Sequence, residues 1–213
     1  MARKLYVMGE NTSKITFPFV IVALCTLIAL AYIVDLIDPT FSEMLVNSPA
    51  HIAAGHYWVL FTSSFAHAGL WHVMLNIPII LYVGIRIEKR FGHLCALCLC
   101  VISSFAADAF AISIYIPRGY SVTFLGASGI KCGLLGFGVA VFIYEFLSKG
   151  VYDPKRVLSD HVIVLVLALF EIVLSFMPGI AWSCHVGGAL AGIILSVIWI
   201  VIEKRKTAKV PSP

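Results

Sequence analysis

The sequence predicts an all-α, polytopic membrane protein of six transmembrane helices. Three observations predict it. Of 213 residues, 61% are hydrophobic and 12% charged, against about 45–50% and about 25% in an average soluble domain. Six segments approach the roughly 20 apolar residues needed to cross a hydrocarbon core about 30 Å thick. Lys and Arg also alternate between the connections as the positive-inside bias requires. The same figures exclude a disordered chain. They also argue against a nucleic-acid binder, because a net charge of +4 that flanks membrane spans makes no basic face.

The elements follow in order. A tail over 1–14 carries Arg3, Lys4 and Lys14. The first span, 15–34, is long and lacks a small-residue cleavage site, so it is not a removable signal. The remaining spans cover 70–87, 94–116, 124–147, 161–177 and 182–202, and a basic tail fills 203–213. The chain thus divides into a tail (1–14), one membrane domain (15–202) and a second tail (203–213). Arg86, Lys89 and Arg90 lie between the second and third spans, and Lys149, Lys155 and Arg156 between the fourth and fifth. Lys204, Arg205, Lys206 and Lys209 follow the sixth. With the first tail, thirteen cations fall on one side and only Arg118 on the other. Both termini are therefore expected in the cytoplasm.

The first external connection, about 38–69, has no Lys or Arg and is rich in aromatic residues such as Tyr57, Trp58, Phe61 and Phe65. Composition alone makes it an interfacial anchor. The six cysteines lie in or beside apolar runs and read as small buried residues. Cys95-x2-Cys98 has no second pair with which to hold a metal.

Polar groups at membrane depth carry the functional signal. Ser128 precedes Glu145 by 17 residues, roughly 26 Å of helix, and His185 precedes Glu203 by 18, roughly 27 Å. The two sit at nearly one depth on parallel spans. Both have glycine neighbours: Gly126, Gly129, Gly133 and Gly136 around the serine, and Gly187, Gly188 and Gly192 after the histidine. Small residues let helix backbones approach within a membrane. A base within about 3 Å can activate a serine hydroxyl, although a hydrogen bond serving only to hold helices together fits equally well. His72 and Asn76 are four apart, on one face of the second span; alone they read first as an interhelical hydrogen-bonding pair, and they are also donors of the type that stabilise an oxyanion.

Together these residues resemble the rhomboid family of intramembrane serine proteases. Four pieces carry the resemblance: His67-x4-His72-x3-Asn76 after Trp58, Gly84-x3-Glu88, Gly126-Ala127-Ser128-Gly129, and His185-x2-Gly188-x3-Gly192. They occur in order on the expected spans, over nearly the whole six-span core. The resemblance implies a serine endopeptidase that cuts other membrane proteins in or near their transmembrane helices, with a water path from the external side. Ser128 would be the nucleophile and His185 the general base, a dyad with no acidic third member. The Ser128 backbone N–H, His72 and Asn76 would form the oxyanion hole, and Glu88 would be structural. No cofactor or metal is implied. The expected partners are membrane-protein substrates and the lipid bilayer, and the expected location is a bacterial inner (plasma) membrane, since the six spans carry no added domain.

Two positions depart from the family pattern. Val59 follows Trp58 where Arg is common, and Cys132 stands where many members place a Tyr beneath the histidine. Lys131 adds a competing Ser-x-x-Lys arrangement. It is more simply one half of a buried ion pair with Asp108 or Glu171. Two other functional classes compete with the protease: a rhomboid-like protein that binds membrane clients without cutting them, and a small transporter. The transporter would be expected to show internal symmetry, and the sequence has none. The fifth span and the connection after it, 178–181, are the expected gate for substrate entry.

Overall fold

In a computed structural model, residues 17–119, 121–148 and 154–208 are described. The N-terminal tail over 1–14, Lys149 and Lys209 lie outside them. The described chain is helical: α1 (Phe19–Ile37), α2 (Thr40–Leu45), α3 (Pro49–Ala53), α4 (Val59–Thr62), α5 (Leu70–Phe91), α6 (His93–Tyr115), α7 (Ser128–Leu147), α8 (Pro154–Ser175) and α9 (Trp182–Ala208). Among the described residues, six of these helices are long and apolar enough to cross a membrane. They correspond in order to the six spans expected from the sequence.

The differences lie at the ends. α8 begins at Pro154 and α9 runs to Ala208, beyond the expected 161 and 202. These outer turns carry charges that an apolar-run criterion rejects. Pro at the first helical position suits the start of α8, because its missing N–H has no intrahelical partner there. The fourth span starts at Ser128 instead of 124. Gly126, at φ +108°, ends an extended stretch that precedes the helix.

α5 anchors α1. Gly84 and Glu88 are four apart on the face of α5 that meets α1. A Cβ at Gly84 would stand 2.7 Å from Ile21 Cδ1, so only glycine lets the helices approach this closely. The Glu88 carboxylate accepts hydrogen bonds from the Val20 and Ile21 backbone N–H groups, both at 2.9 Å. These first-turn donors have no intrahelical acceptor, and α1 has no side-chain cap of its own. The structural part expected of Glu88 thus has a specific form. Gly92, at φ +96°, separates α5 from α6.

α7 lies at the centre, against α5, α6, α8 and α9. Its contact with α9 is a glycine seam. A Cβ on Gly188 would strike Gly129 O, one on Gly192 would strike Gly133 O, and one on Gly136 would strike Ala189 O. Near the C-terminal end of α7, Glu145 pairs with Arg90 at 2.6 Å and lies 3.4 Å from His161 Nε2.

Candidate active site

The seam sets the register of the two residues singled out by depth. Gly129 opposes Gly188 and Gly133 opposes Gly192, so Ser128 and His185 come to the same end of the α7–α9 contact. Ser128 is the first residue of α7 and is 8% exposed; His185 lies in the first turn of α9 and is also 8% exposed. The N-terminal dipole of α7 points its partial positive charge at this end.

The approach to Ser128 is held on both sides. Asn47 and Phe124 exchange backbone hydrogen bonds at 3.0 and 2.7 Å, and Gly126 N–H donates to Ser63 O at 2.9 Å. Ala127 N–H donates to His67 Nε2 at 3.3 Å. The long connection between α1 and α5 therefore does more than lie in an interface. Tyr57 and Trp58 are exposed, as an anchor requires, but Val59, Ser63, Ser64 and His67 are buried beneath them. Val59 fills an apolar position. Ser63 Oγ donates to Asp108 Oδ2 at 2.7 Å, and Ser64 and Ser104 share a hydrogen bond of the same length, tying the connection to α6.

His72 lies over the loop that precedes Ser128, and a Cβ at Gly126 would stand 2.5 Å from His72 Cε1. The His72 ring packs edge-on to His67, with centroids 4.9 Å apart. Asn76, fully buried, donates through Nδ2 to His72 O at 3.0 Å, which leaves the second amide hydrogen for another acceptor. His67 lies outside the spans. Burial, helped by the charges of His72 and Lys131, lowers its pKa from 6.5 to about 4. Its neutral Nε2 is the acceptor for Ala127 N–H.

Beneath His185 the structure adds groups that the dyad reading did not include. His185 Nδ1 lies 2.7 Å from Ser175 Oγ and 3.3 Å from Glu171 Oε1, both on α8. The other carboxylate oxygen, Glu171 Oε2, pairs with Lys131 Nζ at 2.8 Å. Of the two partners expected for Lys131, Glu171 is the one used, and Asp108 turns to Ser63. Lys131 Nζ is thus committed to a carboxylate on α8. Cys132, in place of a ring, sets its Sγ 3.6 Å from Glu171 Oε1.

From Pro154, Glu171 is 17 residues along, roughly 26 Å, level with Ser128. Ser175, four residues after Glu171, shares its face, and that spacing was the available signal. Donor atoms of Cys132, Glu171 and His185 lie within 4.8 Å of one another. A zinc ion could use such a set, but the Lys131 ammonium already supplies the cation for Glu171.

A cavity of about 700 Å³ reaches His185 between α8 and α9. Leu135, Ala168, Ile172, Met177, Trp182 and Ile193 give it an apolar lining.

Comparison with known proteins identifies the family. The Rhomboid domain family model matches residues 54–202. RHOMBOID-like protein 4 of Arabidopsis thaliana is 31% identical over 144 residues, 68% of this chain and 34% of the relative. Rhomboid-like protease 3 of Toxoplasma gondii is 30% identical over 138 residues, 65% of this chain and 50% of the relative. Rhomboid protease GlpG of Salmonella paratyphi A is 27% identical over 152 residues, 71% of this chain and 50% of the relative. The matches thus span half or less of these relatives' own length. The family includes intramembrane serine proteases and acts on membrane proteins. The chain, an integral multi-pass membrane protein, belongs to the rhomboid family.

Proposed function

We propose that the protein is an intramembrane serine endopeptidase that cleaves transmembrane or juxtamembrane segments of other membrane proteins. The observation that carries this reading is the glycine seam, which brings the Ser128 end of α7 and the His185 end of α9 together. His185 Nε2 takes the Ser128 proton as Oγ attacks the scissile carbonyl, and returns it to the leaving amine. The Ser128 N–H, the His72 ring and the second Asn76 amide hydrogen receive the developing oxyanion. The apolar cavity beside His185 suits a side chain from a membrane segment, and α8 with the connection after it borders the route by which such a segment enters. We assign both termini to the cytoplasm on the thirteen-to-one charge bias.

Labelling with a fluorophosphonate probe in detergent tests the reading. Wild type is expected to label, Lys131→Met to label more slowly, and Ser128→Ala and His185→Ala not to label. Absence of labelling in folded wild type, while the Salmonella protease labels in the same detergent, would favour a client-binding protein without catalysis.

A further inference from the structure

We propose that Glu171 and Ser175, with Glu171 held by Lys131, are positioning residues that fix the tautomer and direction of the His185 ring. The inference rests on the protease reading above.

Donor accounting carries it. The Ser175 hydroxyl has one proton, and it goes to Glu171 O at 2.8 Å, since a carbonyl can only accept. Toward His185 Nδ1, 2.7 Å away, Ser175 Oγ can therefore only accept. The Glu171 carboxylate, 3.3 Å from the same nitrogen, also only accepts. The Nδ1 proton is thus fixed in place, and the lone pair stands on Nε2, the tautomer a general base toward Ser128 requires. When Nε2 takes the serine proton, the Oγ–H bond breaks, an N–H bond forms and the ring becomes positive. When the tetrahedral intermediate collapses, the C–N bond breaks and Nε2 gives that proton to the amine. The Nδ1 proton stays on the ring throughout, and the Glu171 carboxylate beside it stabilises the transient positive charge. Lys131, one turn after Ser128 on α7, holds the far oxygen at 2.8 Å. It links α7, α8 and α9 through one carboxylate.

The test measures the fluorophosphonate inactivation rate, kinact, and the probe affinity, KI, for the full chain in detergent. Glu171→Gln is expected to lower kinact about 100-fold with KI unchanged, and Glu171→Asp to recover most of the loss. Ser175→Ala, which leaves the Lys131–Glu171 pair intact, is expected to lower kinact about tenfold and decides the matter if Glu171→Gln fails to fold. Wild-type kinact in Glu171→Gln and Ser175→Ala would overturn the positioning role. So would equal losses in Gln and Asp variants that track a lowered Tm. In either case, loss of labelling in Ser128→Ala and His185→Ala would leave the protease reading standing. Labelling that persists in Ser128→Ala would instead remove the protease reading.

Discussion

α7 and α8 meet the same histidine by opposite means. In the most apolar stretch of α7, 61% of residues are buried; in that of α8, 22% are. α7 meets α9 backbone to backbone, through glycines that no Cβ can replace. α8 presents outward-facing apolar residues such as Leu169 and Val173, and makes its polar contacts with His185 through the side chains of Glu171 and Ser175. Register between nucleophile and base is thus built into main chain, whereas the direction of the imidazole depends on two hydrophilic groups from a loosely packed helix. A structure of this kind can let the α8 side yield to an incoming segment while the Ser128–His185 spacing stays fixed.

Disrupting the seam should have the largest effect. Gly192→Ala places a methyl group against Gly133 O, and a main-chain carbonyl cannot turn aside as a side chain can. A shift of about 1 Å can cost about 100-fold in rate, so labelling of Gly192→Ala should fall by at least about that factor, with a lower Tm. Gly126→Ala acts on the loop before Ser128. It combines an unfavourable φ of +108° with a contact on the His72 ring; because that ring can move, a loss of about tenfold, or about 1.4 kcal/mol, is expected in kinact.

Acid should loosen the same loop. Because the folded pKa of His67 is about 4, below the ordinary 6.5, the unfolded chain takes up the proton first as pH falls. The stabilisation is complete above about pH 6.5 and is lost progressively toward pH 4. Tm in detergent should fall between pH 7 and pH 5, and by about 2–4 °C less in His67→Asn for each kcal/mol of this linkage. At the other extreme, Leu169→Ala on the exposed face of α8 should leave labelling within about twofold, as surface changes do. A loss as large as that of Gly192→Ala would abolish the contrast between the two helices.

Much of the fold was legible because a bilayer imposes length and apolarity on each span. The Ser128 and His185 level was legible because helix rise converts sequence distance into depth. The long aromatic connection was not. Composition records that Tyr57 and Trp58 face outward, but cannot record that Ser63, His67 and Asn47 accept and donate to the main chain before Ser128. Those bonds join residues about 60 to 80 positions apart and leave no periodic trace. Glu171 was visible as a buried acid, and its pairing with Lys131 was one of two expected. Its contact with His185 was hidden by the charged first turns of α8, which shortened the apparent helix.

The Glu88 bonds to Val20 and Ile21 set an order on biogenesis. α1 emerges from the ribosome well before the carboxylate that accepts its first amide hydrogens, which lies 68 residues later for Val20. At about 5–20 residues per second, the nascent first helix waits on the order of several seconds with that turn unsatisfied. During this interval it must rely on headgroups, water or the insertion machinery, and docking of α1 against the rest of the bundle can begin only after the second span has been made.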